Sequence, residues 1–128
     1  MQAASDFDDL RGVIYYVAAN FYDGFVGNRN AFDAFMLQTL AIPGFRERGS
    51  QAARIISNAL TEALLQRSSE IGHHDPALAC DFVFRSLFAL ATQAIMFEAA
   101  ESTGNSLDRS TWINETTEML HAYLTRDQ

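Results

Sequence analysis

The sequence has no lysine, one cysteine and only two prolines, and with seven glycines beside the two prolines the composition is neither that of a disordered nor that of a fibrous chain. The nine basic residues, all arginine, are scattered along a chain whose net charge is −7. Binding to a nucleic-acid backbone needs several converging cations, so this chain alone is a poor nucleic-acid binder. Cys80 has no partner for an intramolecular disulfide, which removes the usual signature of a small secreted domain.

Signals for a membrane or for secretion are also missing from the sequence pattern. No apolar run approaches the roughly 18–20 residues of a membrane span. The first six residues, MQAASD, become acidic instead of following the charged-then-apolar order of a signal peptide. We therefore expect a soluble, cytoplasmic protein with no membrane partner.

Apolar residues are abundant and recur at helical spacing almost throughout the chain, whereas strand-like alternation is almost absent. A chain of 128 residues is long enough to bury one core. The pattern predicts an all-α fold in which residues 1–128 form a single-domain antiparallel bundle of about five helices. The five predicted helices span about residues 5–24, 31–41, 45–71, 76–100 and 109–125.

The stretch IGHHDPALAC, residues 71–80, raises the question of a metal site. Zinc usually takes three or four ligands at recurring spacings, and His73, His74 and Cys80 do not provide such a spacing. Cap residues favour a short turn between two helices. We predict that Gly72 ends the third helix, that Asp75 and Pro76 begin the fourth, and that both histidines lie in solvent at an exposed end of the bundle, with no metal and no cofactor.

The fourth predicted helix is apolar around most of its circumference, and the apolar face of the fifth is wide. A surface helix needs only one buried stripe, so both helices are expected to be covered on two sides. Two-fold dimers are the commonest oligomers, and we predict a homodimer in which two helices from each partner form a four-helix interface. A monomer with an apolar last helix is the alternative. The predicted interface residues are Leu78, Phe82, Arg85, Ala89, Met96, Trp112, Thr116, Met119 and Tyr123.

Motifs for catalysis are not found: the sequence has no phosphate-binding glycine loop, no GxSxG and no HExxH, so no catalytic residue is predicted. Ten phenylalanines, four tyrosines and four methionines are an unusual supply of aromatic and sulfur side chains. Most would fill a core, but some can line a pocket for a small hydrophobic or amphipathic ligand. The predicted ligand-binding residues are Tyr15, Tyr22, Phe25, Phe35, Met36, Phe84, Phe88 and Met96.

Residues 45–97, FRERGSQAARIISNALTEALLQRSSEIGHHDPALACDFVFRSLFALATQAIMF, precede a polar loop and the segment TWINETTEMLHAYLT at residues 111–125. This part of the chain, about its last two thirds, resembles the C-terminal domain of tetracycline-repressor (TetR) family transcriptional regulators. The resemblance lies in the order and lengths of three helices, the Gly-x-x-Asp-Pro turn at 72–76, the closing Tyr-Leu, and the aromatic helix centred on Phe82, Arg85 and Phe88.

The resemblance implies a domain that dimerises through its last two long helices and encloses a pocket for an effector. In such regulators a separate N-terminal helix-turn-helix domain binds DNA, and no segment before Asp6 could form one. The chain is therefore expected to meet DNA only through a domain that it does not contain. A free-standing sensor domain, a helical dimerisation or adaptor module without ligand, and a small helical enzyme remain the alternatives.

Overall fold

The computed structural model describes residues 9–28, 30, 34, 44–96, 104–105 and 107–126, without the side chains of residues 28, 45, 46 and 96. Over these residues the fold is all-helical, as predicted, with no strand. Of the predicted second helix, Asn30 and Ala34 are helical and the other positions lie outside the described residues. The helices are α1 (Leu10–Gly24), α2 (Phe45–Leu65), α3 (Pro76–Met96) and α4 (Arg109–Thr125), with short 3-10 turns at Val26–Asn28 and Ser68–Glu70.

Aspartate caps define the starts of three helices. Asp9 has extended backbone and accepts a hydrogen bond from Gly12 N–H at 2.8 Å, so α1 begins at Leu10, later than predicted. Asp75 accepts from Leu78 N–H at 3.2 Å, and Asp108 accepts from Thr111 N–H at 2.8 Å. Because the first backbone N–H groups of a helix have no partner within it, a short acidic side chain just before them fixes the start.

The connector between α2 and α3 differs from the prediction. Regular helix ends at Leu65, six residues earlier than expected, because Arg67 leaves helical geometry (φ −112°, ψ 32°) and a 3-10 turn follows. Gly72 is not a helix cap. Its N–H donates to the carbonyl oxygen of Leu124 at 2.9 Å, which ties the connector to the end of α4.

The core lies where α1, α3 and α4 meet, with the second half of α2 closing one side. Helices α1 and α4 run antiparallel, and ion pairs join them near both ends: Arg11 with Glu118, and Arg109 with Asp23 at 2.8 and 2.9 Å. Packing of the four helices against one another buries apolar residues from each of them. The least exposed side chains are Leu10, Val13, Ile14, Leu64, Cys80, Val83, Leu87, Ile95, Ile113, Thr117 and Leu124.

Helix α3 is the most apolar of the four helices. It contradicts the expectation that no apolar run approaches the length of a membrane span. Over Pro76–Ile95 it is long and apolar enough to cross a membrane, judged by length and composition alone. The core helix of a soluble protein passes the same test, so the observation is weak evidence for a membrane. In this fold α3 packs against α1, α2 and α4, and a salt bridge between Asp81 and Arg85 lies on it.

Candidate functional site

Four phenylalanines from α1, its C-terminal end and α3 form a continuous group, here called the aromatic cluster: Phe21, Phe25, Phe84 and Phe88. Ring centroids are 5.4 Å apart for Phe21 and Phe25, 6.0 Å for Phe21 and Phe84, 6.3 Å for Phe25 and Phe88, and 6.2 Å for Phe84 and Phe88. Helical spacing explains the arrangement, since residues four apart lie on one face of a helix and each helix contributes one such pair.

The aromatic cluster runs from the core to the surface. Phe21 is 5% exposed and belongs to the core, Phe25 and Phe84 are half-buried, and Phe88 is 36% exposed. Offset-stacked and edge-to-face ring contacts are the favoured geometries of aromatic pairs, and two of the four contacts here are of the edge type. The cluster therefore presents aromatic surface at one end while its other end is fixed in the core.

One buried polar group, the hydroxyl of Thr92, lies about one helical turn beyond the aromatic cluster on α3. Thr92 follows Phe88 by four residues on α3, and its hydroxyl is buried with no hydrogen-bond partner among the described residues. Buried hydroxyls normally find a partner, because leaving one unpaired costs about 1–3 kcal/mol. Sequence reasoning missed Thr92, since a threonine within an apolar helix gives no pattern that separates it from core residues.

The predicted ligand-binding residues divide into three groups. Phe25, Phe84 and Phe88 come together in the aromatic cluster. Tyr22 turns toward α4, where its ring centroid lies 5.4 Å from that of Trp112, and Tyr15 is 43% exposed on the outside of α1. Phe35, Met36 and the side chain of Met96 lie outside the described part of the chain.

A second feature of α3 is an exposed, mainly apolar surface shared with α4, here called the outer face: Leu78, Phe82, Arg85, Ala89, Met119 and Tyr123. Leu78, Phe82 and Met119 are 49%, 54% and 49% exposed. The rings of Phe82 and Tyr123 are 6.4 Å apart, which joins the two helices into one surface. Exposed side chains of this size on neighbouring helices are typical of an interaction site.

Two residues predicted to lie in an interface do not belong to the outer face. Trp112 and Thr116 are each 5% exposed, and they are buried within the chain itself. The N-terminal half of α4 packs along α1, where Trp112 contacts Tyr22, so only its later turns face outward. The prediction treated all of one helix row as external, and the antiparallel contact with α1 covers the first part of that row.

The histidine connector also differs from expectation. His73 is 8% exposed, and its Nδ1 accepts a hydrogen bond from Asp75 N–H at 2.9 Å. Its ring stacks on His74 at 4.6 Å and contacts Tyr123 at 5.5 Å. His73 is therefore a packed residue that holds the connector against α4, whereas His74 is exposed as predicted.

Potential chemistry elsewhere in the described residues is limited. No group of three or more His, Cys, Asp or Glu side chains is close enough there to hold a metal ion. Cys80 is fully buried, and burial raises the pKa of its thiol to about 11. Because the thiolate is the reactive form, Cys80 behaves as a core residue and not as a nucleophile.

No protein-family model, curated protein or solved structure gives a significant match to this chain. The resemblance to TetR-like domains thus rests on the residues quoted above. The aromatic cluster and the outer face share α3.

Proposed function

We propose that this chain is a ligand-sensing and dimerisation domain of a regulator similar to the TetR family. It would bind a small hydrophobic or amphipathic effector at the aromatic cluster and pair with a second copy through the outer face. DNA binding would belong to a helix-turn-helix domain outside this sequence. The observation that carries the proposal is that one helix, α3, contributes to both surfaces.

The aromatic cluster supports a ligand of defined chemistry. Its rings offer apolar contact surface from Phe21 in the core to Phe88 at the surface, which suits a flat, largely apolar molecule. The unpaired hydroxyl of Thr92 would satisfy one polar atom of that molecule. A molecule with an aromatic body and one hydroxyl fits this description better than a charged one.

The position of α3 supports a link between ligand and dimer. Phe84 and Phe88 lie on one side of this helix, and Leu78 and Phe82 on a neighbouring side. A ligand that wedges against the phenylalanines would favour one placement of α3 over another and so alter the outer face. Such a ligand shifts the equilibrium only by the difference between its affinities for the two placements.

A matched pair of probes tests the ligand half of the proposal. Naphthalene and 1-naphthol differ by one hydroxyl, and both are flat aromatic molecules. We expect 1-naphthol to raise the melting temperature of the protein more than naphthalene does, because it can bond to Thr92. Thr92→Val should remove that difference while leaving naphthalene binding intact.

Two truncations of equally exposed side chains supply the control. Phe88→Ala should weaken binding of both probes about two- to sixfold, since complete burial of a phenylalanine contributes about 1.5–3 kcal/mol and about a third of this ring is left for a ligand to cover. Leu65→Ala, on α2 and also 36% exposed, should leave binding unchanged. A dimer that binds neither probe, nor any other apolar aromatic compound tested, would contradict sensing and favour an adaptor that only dimerises.

A further inference from the structure

We infer that Asp81 and Arg85 set the register of a two-fold dimer by exchanging partners between copies. This inference rests on the proposed dimerisation through the outer face and adds the residues that specify it. Within one chain, Arg85 Nε donates to Asp81 Oδ2 at 2.6 Å. The Arg85 and Asp81 side chains are 69% and 47% exposed, so the pair lies at the surface, where the same groups of a second copy can approach it.

The sequence order along α3 makes its outward side self-complementary. Leu78 and Phe82 lie toward its start, Arg85 lies near its middle, and Ala89 lies one turn further on. Residues spaced by three and four, as these are, share one side of a helix. When two copies of α3 cross antiparallel about a two-fold axis near residue 83, the large Leu78 of each meets the region of the small Ala89 of the other.

The same axis places Asp81 of each copy opposite Arg85 of the other. A two-fold interface repeats every contact, so one favourable pairing occurs twice. Helix pairs use such charges at the edge of an apolar seam to choose partner and register, as complementary e and g positions do in coiled coils. The charge order acidic then basic along α3 therefore matches a second, antiparallel copy of α3.

The occupant of the outer face is thus a second copy of this chain. A parallel arrangement would place Asp81 against Asp81 and Arg85 against Arg85, and like charges facing each other across an interface are costly. The net charge of −7 works against association of two copies in general, so attraction has to come from local contacts such as these.

Charge-reversal variants analysed by native mass spectrometry test the inference. Asp81→Arg leaves the site with two basic side chains, and Arg85→Asp leaves it with two acidic ones. We expect each variant alone to dimerise at least about tenfold more weakly than wild type, and an equal mixture of the two to give mainly heterodimer. The double variant Asp81→Arg/Arg85→Asp should dimerise as wild type does, since it restores the pairing in reverse.

Two controls separate a local pairing from other effects. Asp81→Arg makes the chain less negative overall, so a purely long-range effect would strengthen its self-association, whereas local pairing weakens it. Arg48→Asp reverses an exposed charge on α2 and changes the net charge as much as Arg85→Asp does, so it should weaken dimerisation much less than Arg85→Asp. Circular dichroism should give the same helix content for all variants, because both positions are solvent-exposed.

The outcomes distinguish this inference from the proposed function. A wild-type dimer whose two charge variants mix statistically would overturn the pairing of Asp81 with Arg85 and leave the sensor proposal standing. A wild-type chain that stays monomeric at all concentrations would overturn both the pairing and the dimerisation on which it rests. A heterodimer preference that falls with added salt is the result expected from a partly exposed ion pair.

Discussion

The contact between α1 and α4 and the outer face of α3 are built from similar apolar residues but have opposite exposures. Leu10, Ile113 and Leu124 in the first are completely buried, and ion pairs lie near both of its ends. Leu78 and Phe82 in the second are half exposed, although α3 is the more apolar helix. The comparison shows that the apolar content of a helix does not by itself predict which of its side chains are buried or which element buries them.

Geometry explains the difference between the two regions. The antiparallel contact with α1 covers one side of α4 along much of its length, and the connector packs against its end through Gly72 N–H and His73. Helix α3 packs against three helices on its inner side, and on its outer side Phe82 meets Tyr123 while Leu78 and Phe82 keep about half of their surface exposed.

Truncation of one leucine in each region should give the largest contrast. Leu124→Ala removes a fully buried side chain and should lower the free energy of unfolding by about 2–5 kcal/mol. Leu78→Ala should change the stability of the monomer by less than about 0.5 kcal/mol, since half of that side chain is already exposed. Urea denaturation at several protein concentrations measures both effects.

The concentration series supplies the internal check for Leu78. Dimerisation makes stability rise with protein concentration, and Leu78→Ala should flatten that dependence if the outer face pairs two copies. Equal losses of stability for the two leucine variants at low concentration would show that the outer face is covered within a single chain.

Removing the Glu70 carboxylate, which contacts the start of α1, should destabilise the protein less than Leu124→Ala does. Both of its oxygens accept from Leu10 N–H, at 3.1 and 3.2 Å, so the 3-10 turn holds the start of α1. Glu70→Ala should lower the free energy of unfolding by about 1 kcal/mol, the usual contribution of one hydrogen bond. Glu70→Gln keeps an acceptor and should lower it less.

Glu115, exposed on α4, provides the matched control for Glu70. Thermal denaturation should show a smaller change for Glu115→Ala than for Glu70→Ala. Equal changes would mean that loss of one negative charge, and not loss of the contact with Leu10, accounts for the result.

The smallest effect is expected at the ion pair that joins the end of α1 to the start of α4. Hydrogen bonding to Arg109 lowers the pKa of the Asp23 carboxyl. A lowered pKa in the folded state means that the pair stabilises the protein above the ordinary aspartate pKa of about 4 and that this contribution disappears as pH falls through the folded-state pKa. Both side chains are about half exposed, so solvent screening keeps the contribution small.

Melting temperatures of wild type and Asp23→Asn across pH measure this contribution. The variant should melt slightly lower near neutral pH, and the two curves should converge in strong acid. Added salt should narrow the difference near neutral pH. A difference that persisted unchanged in acid would assign the effect to packing of Asp23 and not to its charge.

Local signals in the sequence were sufficient for the helical fold and for several helix starts. Asp75 with Pro76 and Asp108 were predicted as starting residues because capping depends on side chains within three positions along the chain. Gly72 was misjudged because its backbone donates to Leu124, a residue 52 positions away, and no local pattern reveals such a partner. Phe25, Phe84 and Phe88 were predicted from their helix faces to line a ligand pocket, and helix packing brings their rings into contact.

The sequence by itself determined that the chain is helical, where its strong caps begin helices, and that α3 has more apolar surface than one stripe. Helix periodicity and capping act over a few residues, so they can be read from the order of side chains. Only the tertiary structure decided which apolar residues are covered: Trp112 and His73 are buried, and Phe82 is exposed. Burial depends on which helix lies against each side, and that choice is made by contacts between residues far apart in the chain.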